Sequence, residues 1–257
     1  MHESVISGLS NMFYNSVNQL ALDKPEIWQR FTVGMGLEFR YKGRKGCYVP
    51  DVSVVTDLRN VFHVEIAVSQ SMSDVRKKIR NILQDDIILG VLLISIKEKP
   101  KWESPARCPL KEEWMDTKDW LLRMERKGPF GSITHNGITW VHDIDVQVYL
   151  FEGGWNESMG DPDNVSLFFT SMRSLYITLI YLLKYTMPAE GSFIFPKLDR
   201  DINEIWNSII QQMIGQSQQD VQANEFSIDW LVLRKLLANS MPLMAHARYE
   251  KWFDTIE

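Results

Sequence analysis

The chain has 257 residues and a formal net charge of −5, with 45% hydrophobic and 24% charged residues, which is ordinary for a globular protein with a sizeable buried core. No stretch approaches the ~20 apolar residues of a membrane helix, and no basic segment followed by an apolar run marks a secretory signal. The two cysteines, Cys47 and Cys108, lie far apart, which argues against a disulfide framework or a zinc knuckle, so we expect an intracellular protein of the cytoplasm or nucleus.

The first part of the chain alternates between helical and strand patterns. Apolar side chains recur every three to four positions over residues 5–20 and predict an amphipathic helix. From residue 31 the period is two, which predicts a first strand over 31–41 and a turn over 42–46. A second strand over 47–55 and a third over 61–68 are joined by a short turn, so they should pair as a hairpin. A helix capped by Ser71 or Ser73 and a buried strand over 87–96 complete the order αβββαβ.

The rest of the chain carries different patterns. A helix is predicted over 110–127, and one or two strands over 133–151 with a hairpin turn at Asn136-Gly137. Helical spacing then dominates over 165–185, 199–223 and 227–252. We therefore interpret the chain as one α/β domain with a mixed sheet. Residues 1–97 form its core, residues 98–151 an insertion of helix and strands, and residues 152–257 a helical subregion packed on the core.

Two carboxylates are predicted to meet on the hairpin. Strand alternation puts His63 and Glu65 on the less apolar face of the third strand, and Asp51 can lie beside Glu65 on the second. Two close carboxylates resist joint ionisation unless a cation lies between them, and hard divalent ions prefer oxygen ligands. The pair therefore predicts a divalent metal site. A simpler interpretation is that Glu65 pairs with Arg40 or Arg44 across the sheet, and that His63 is a satisfied sheet histidine rather than a base.

The motif around these acids resembles a known group. Pro50-Asp51, a hairpin and the strand sequence Val-Glu-Ile-Ala over 64–67, in an αβββαβ frame, resemble the PD-(D/E)XK nuclease superfamily. The run Val-Glu-Ile-Ala-Val-Ser-Gln-Ser over 64–71 is similar to a variant in fungal proteins of that superfamily. The resemblance covers about the first hundred residues. It implies a restriction-endonuclease-like core, nuclease activity with Mg²⁺ or Mn²⁺ as cofactor, and Asp51, Glu65 and the Ile66 carbonyl as metal ligands.

The sequence departs from the family at one position. Ala67 stands where the family has a lysine that orients the attacking water and stabilises developing charge. Lys77 or Lys78 on the following helix can supply the amine instead, and helix periodicity favours Lys78 because it should lie near the strand end. Gln70 could position the water through its amide. Glu38, on the polar face of the first strand, is a candidate third acid and metal ligand.

Basic residues cluster on both sides of the acidic pair. If the partner is nucleic acid, these residues would contact its backbone, although a pair of solvated charged faces explains them equally well. A nucleic-acid-binding protein usually has a basic surplus, which this chain lacks. The leading function is an Mg²⁺-dependent phosphodiesterase or endonuclease acting on DNA or RNA. The alternative is a catalytically inactive nuclease fold serving as a binding or interaction module, which the acidic charge and Ala67 favour. The first cluster is Arg40, Lys42, Arg44 and Lys45, and the second is Arg76, Lys77, Lys78 and Arg80. The predicted nucleic-acid contacts are the whole first cluster together with Arg76 and Lys77.

Overall fold

The computed structural model describes residues 1–23, 30–40, 45–56, 59–83, 87–105, 114–152, 183–186, 196–214 and 228–255. We number the helices and strands in chain order. They are α1 (His2–Asp23), β1 (Phe31–Met35), β2 (Phe39–Arg40), β3 (Cys47–Tyr48), β4 (Val52–Thr56), β5 (Arg59–Val68), α2 (Met72–Leu83), β6 (Gly90–Lys99), α3 (Thr117–Arg123), β7 (Glu125–Arg126), β8 (Ile133–His135), β9 (Ile138–Val141), β10 (Asp143–Glu152), β11 (Leu183–Thr186), α4 (Pro196–Ile214) and α5 (Trp230–Phe253).

The centre of the fold is a mixed six-stranded sheet with the strand order β1-β4-β5-β6-β10-β11. β5 and β6 run parallel, and the other neighbours in this sheet are antiparallel. A parallel pair needs a crossover connection, and α2 supplies it. β2 pairs with β3, and β7, β8 and β9 form a separate three-stranded sheet. The chain is thus an α/β protein with a mixed sheet, as the sequence predicted.

Helices cover both faces of the sheet. Phe62, Val64 and Ile66 of β5 point into a large apolar cluster shared with α1, α4 and α5. Ala67 points the other way and packs with Ile79 of α2. Each large apolar side chain contributes about 1.5–3 kcal/mol when it is buried, so β5 is held from both sides. None of the helices that the structure describes has the length and apolar character needed to cross a bilayer.

The order αβββαβ is confirmed, but each of its first two strands is interrupted. The first was predicted over 31–41, and β1 ends at Met35 because Gly36 has a φ of +62°, a conformation that glycine tolerates and that breaks the ladder. β2 follows as a separate two-residue strand. The second predicted strand is divided into β3 and β4 by residues 49–51. Pro50 lies in this gap and has no N–H to donate to a ladder.

The second part of the chain confirms some predicted elements and corrects others. The Asn136-Gly137 hairpin is confirmed, because both residues have positive φ angles, 50° and 75°, as a two-residue turn between strands requires. The helix predicted over 110–127 is shorter than expected within the described residues. α3 starts at Thr117, where the Asp116 carboxylate caps it by accepting from the Asp119 N–H, and residues 106–113 lie outside the described part.

The predicted helix over 165–185 is wrong at its C-terminal end. Leu183–Thr186 forms β11, which pairs with β10, while residues 165–182 lie outside the described part of the chain. The last two predicted helices are present as α4 and α5, and residues 215–227 are not described. β11 shows that residues 152–257 include sheet as well as helix.

A buried ion pair ties α5 to β6. The two terminal nitrogens of Arg248 donate to the two carboxylate oxygens of Glu98 at 2.9 and 2.7 Å, and Nη1 also donates to the Trp140 carbonyl at 2.7 Å. The His142 N–H donates to the same carboxylate at 2.6 Å. The guanidinium carbon lies 4.7 Å from the centre of the Trp102 ring. The Glu98 side chain is only 6% exposed, so its charge depends on these partners.

Arg248→Ala is expected to lower the free energy of unfolding by about 3–5 kcal/mol, because it leaves the Glu98 carboxylate buried without its counter-charge. The neighbouring residue provides a control. Lys99 pairs with Asp145 at 2.7 Å but is 65% exposed, so Lys99→Ala should cost less than about 1 kcal/mol. Urea unfolding followed by circular dichroism measures both values. Equal losses in the two variants would contradict the structural role of the Arg248–Glu98 pair.

Candidate active site

The register between β4 and β5 determines where the two predicted carboxylates lie. Val52 pairs with Val64, so one further step along the antiparallel register brings Asp51 opposite Glu65. Asp51 lies just before β4, and its Oδ2 accepts a 2.6 Å hydrogen bond from the Ile66 N–H. This side chain therefore takes the place of a backbone carbonyl at the end of the ladder. The hydrogen bond fixes the Asp51 carboxylate beside the strand that carries Glu65.

Lys78 of α2 reaches the same place. Its Nζ donates to Glu65 Oε2 at 2.6 Å and to the Val49 carbonyl at 3.1 Å. Val75 and Ile82 are buried against the sheet, and Lys78 lies three positions after the first and four before the second, on the same side of the helix. Its aliphatic stem can therefore run toward the sheet while the ammonium reaches Glu65. Three elements, β4, β5 and α2, thus bring two carboxylates and one amine together.

Glu65 is in an unfavourable environment for a negative charge. Burial raises the pKa of its carboxyl to about 7, against the opposing effect of the charge and hydrogen bond of Lys78, and the Asp51 carboxylate raises it further. Its Oε1 atom is buried and has no hydrogen-bond partner among the residues that the structure describes. The Glu65 carboxylate therefore keeps one oxygen able to accept a further ligand.

His2 of α1 also lies at the site, and the sequence analysis did not predict it. Its Nε2 is 3.2 Å from Asp51 Oδ1, and its Nδ1 is 3.3 Å from Glu3 Oε1. The imidazole is 38% exposed and the Asp51 side chain 18%. A histidine in the first turn of a helix is a weak signal, because its position relative to Asp51 depends on how α1 packs on the sheet. No local pattern in the sequence contains that information.

A buried polar network lies next to Glu65 on β5. His63 Nδ1 is 3.2 Å from the Ser53 hydroxyl, and His63 Nε2 is 3.4 Å from the Tyr48 hydroxyl. His63 and Ser53 are fully buried. Burial lowers the pKa of His63 to about 3, and the nearby charge of Lys78 lowers it too. The imidazole is thus neutral and has a partner on each nitrogen, as expected for a satisfied sheet histidine, and it connects β3, β4 and β5.

The structure leaves other predicted residues away from this cluster. Gln70 is exposed just after β5, beyond Ser69 with its φ of +57°. Glu38 is exposed in the bend between β1 and β2. Within the described part of the chain, no hydrogen bond or ion pair joins either one to Asp51 or Glu65.

The predicted basic contacts are spread over the surface. Arg40, Lys45 and Lys77 are exposed, and Arg76 is half-buried on α2. Lys42 and Arg44 lie outside the described residues. The simpler interpretation, in which Glu65 pairs with Arg40, is not what the structure shows, because the partner of Glu65 is Lys78. Pairing with Arg44 falls on a residue that is not described.

Comparison with known proteins gives no assignment, since no family model, curated protein or solved structure matches the chain. Among the described residues, no three or more His, Cys, Asp or Glu side chains are grouped so that they could hold a metal ion. The chemistry of the site therefore rests on the two carboxylates, the amine and the nearby imidazole, and on the contacts among them.

Replacing His63 by Gln should change how stability depends on pH. The imidazole pKa is 6.5 in the unfolded chain and about 3 in the folded protein. Below pH 6.5 the unfolded chain therefore binds a proton that the folded chain does not, so the unfolding free energy falls as the pH drops toward 3. The His63→Gln chain cannot take up this proton. The free energy of unfolding that it loses relative to wild type should therefore become smaller as the pH falls from about 7 to about 4.5.

Urea unfolding of both proteins in EDTA across this range measures the effect, and His142→Gln, at a half-buried position between β9 and β10, serves as a matched control for the substitution. A deficit that is the same at every pH would show that the imidazole of His63 takes up protons as easily in the folded protein as in the unfolded chain.

Proposed function

We propose that the chain is a metal-dependent phosphodiesterase acting on DNA or RNA, with a restriction-endonuclease-like core. Asp51, Glu65 and Lys78 are its functional groups. The observation that carries the proposal is the 2.6 Å contact between the Lys78 amine and the Glu65 carboxylate, beside Asp51. Ala67 offers no amine on β5, and Lys78 brings one from α2 to the same carboxylate. The amine and the two acids needed for phosphodiester hydrolysis are thus all present on three neighbouring elements.

The donor atoms suit Mg²⁺ or Mn²⁺. Asp51 and Glu65 offer carboxylate oxygens, which such ions prefer, and Glu65 Oε1 is buried without a hydrogen-bond partner in the described part of the chain. The N–H of Ile66 faces Asp51, and the carbonyl of the same residue faces the same neighbouring strand, so it is available as well. These three residues would hold the ion. A bound ion would polarise a phosphoryl oxygen and lower the pKa of a water molecule.

Lys78 has a clear part in this chemistry. Its ammonium is a fixed positive charge with three donors, of which two are used by Glu65 and the Val49 carbonyl. The third donor can hold a water molecule or a phosphate oxygen. Positive charge placed in advance near a phosphate stabilises the negative charge that develops in the transition state. The hydrogen bond to the Val49 carbonyl holds the amine beside Glu65.

A second candidate is a nuclease fold that binds without cleaving. It is favoured because most carboxylate oxygens of the site already have partners within the protein. The Ile66 N–H and His2 contact the two oxygens of Asp51, and Lys78 contacts one oxygen of Glu65. The net charge of −5 also gives little general attraction to phosphates. The two candidates differ in one observable, the cleavage of nucleic acid.

Lys78→Ala is expected to reduce the rate of cleavage about 10²–10³-fold, as loss of one transition-state donor does in other sites. Asp51→Asn should reduce the rate of cleavage by a similar or larger factor. The substrates are single- and double-stranded DNA and RNA, each incubated with Mg²⁺ or Mn²⁺. Lys99→Ala is the matched control, because it removes a lysine with a similarly short carboxylate contact, 2.7 Å, at the exposed end of β6.

Circular dichroism and thermal unfolding establish that each variant is folded, so that lost cleavage is not lost structure. Wild-type protein that cleaves none of the four substrates with either ion would favour the binding module. Wild-type rates in Lys78→Ala would show that the amine has no part in the reaction, even if the two acids do.

A further inference from the structure

We propose that Tyr48 of β3 is a positioning residue, which holds the Lys78 amine beside Glu65 through the backbone carbonyl of the next residue, Val49. The inference rests on the proposed function in one respect, the part that it gives to this amine in the reaction. Tyr48 belongs to the ribbon formed by β2 and β3, so the proposal extends the site from the two acids and the amine to a fourth element of the fold.

The Lys78 amine has two acceptors of different kinds. Nζ donates to Glu65 Oε2 at 2.6 Å and to the Val49 carbonyl at 3.1 Å. A lysine carries its charge on a flexible four-carbon stem, and this side chain is 36% exposed, so the bond to Glu65 alone leaves the amine able to turn about the carboxylate. The Val49 carbonyl supplies a second fixed point. The position of the amine therefore depends on where that carbonyl lies.

The Val49 carbonyl lies in the short segment between β3 and β4. The proline that follows disfavours helical backbone at Val49, which restricts the direction of the carbonyl. The Val49 side chain is 43% exposed, so its own burial gives little hold. The segment is held at its two ends instead. Asp51 holds one end, where its Oδ2 accepts from the Ile66 N–H at 2.6 Å, and Tyr48 holds the other.

Tyr48 is buried against β5. Only 5% of its surface is exposed, and its hydroxyl lies 3.4 Å from Nε2 of His63. The rings of Tyr48 and His63 meet edge to face with centres 5.6 Å apart, and the Phe39 ring of β2 packs against both. β2 and β3 form a two-stranded sheet of their own, so these side-chain contacts fix the ribbon on β5. Because Val49 directly follows Tyr48, they also fix the carbonyl that Lys78 uses.

Tyr48→Phe removes the oxygen that faces His63 and keeps the ring. The amine should then be held less firmly, and a displacement of about 1 Å can cost about 10²-fold in rate. We therefore expect kcat for cleavage to fall about tenfold, with little change in KM. Tyr149→Phe is the matched control. Tyr149 is buried in the same apolar cluster on β10 and donates to Gln147 at 2.6 Å, and its loss should leave kcat as in wild type.

A double-mutant cycle separates positioning from a general effect on the fold. If Tyr48 acts through Lys78, adding Tyr48→Phe to Lys78→Ala should change kcat less than about twofold, because the amine that it positions is already gone. Circular dichroism establishes that all four chains of the cycle are folded. A loss as large in the Lys78→Ala background as in wild type would overturn the proposal, because Tyr48 would then act on other groups.

NMR of the lysine ammonium groups tests the same contact without cleavage. In wild type labelled with the heavy nitrogen isotope, the hydrogen-bonded Lys78 ammonium should give a resolved signal at low temperature, identified by its absence from Lys78→Ala. Tyr48→Phe should weaken this signal through faster exchange with water, and Tyr149→Phe should not. A Lys78 signal unchanged in Tyr48→Phe would overturn the proposal. Wild-type protein that cleaves no substrate would overturn the proposed function, and the NMR comparison would then decide alone whether Tyr48 holds the amine.

Discussion

Glu65 places a carboxylate inside a sheet that is covered on both faces. The other residues of the site are arranged around this buried charge, which is unfavourable unless it is compensated. An isolated buried charge costs several kcal/mol unless opposite charges and hydrogen bonds balance it. Lys78 balances part of it from α2, at 2.6 Å. The balance is incomplete, because the pKa of Glu65 still stands at about 7 and one of its oxygens is unpaired in the described part of the chain. A divalent ion would complete it, since it adds positive charge where two carboxylates approach each other.

The fold separates this costly cluster from the contacts that stabilise the molecule. One face of β5 packs against α1, α4 and α5 in an apolar cluster. His63, Glu65 and Lys78 lie on the side that α2 covers, while His2 of α1 contacts Asp51 just before β4. The Arg248–Glu98 pair joins α5 to β6 and makes no described contact with the site, so the C-terminal helix is attached by groups that the chemistry does not use. Variants of the site and variants of this pair can therefore be expected to affect activity and stability separately.

Features that depend on local periodicity could be predicted from the sequence. Alternation along β5 and a short turn put Asp51 near Glu65, and the helical period put Lys78 within reach of it, as the register and hydrogen bonds now show. Features that depend on a single backbone angle or on long-range packing could not. The bend at Gly36 requires a positive φ, β11 forms through pairing with β10 far away in sequence, and His2 reaches Asp51 only because α1 packs where it does.

The composition of the cluster bears on the choice between an enzyme and a binding module. Replacing a buried ion pair by apolar side chains of similar volume often leaves stability unchanged or increases it. A binding module that uses only its surface would therefore gain little stability from Glu65 and Lys78. Groups with strongly shifted pKa values that gather at one place are more typical of functional sites, although structural ion pairs also shift pKa values. Here the pKa of Glu65 is raised and the pKa of His63 is lowered, and both side chains lie on the same face of β5. His63 stays neutral and holds β3 and β4 in place, which leaves Glu65 as the group whose charge state an ion would control. Apolar side chains of similar volume would often give equal or greater stability here, and a divalent ion bound at the two carboxylates, as proposed above, would offset that difference.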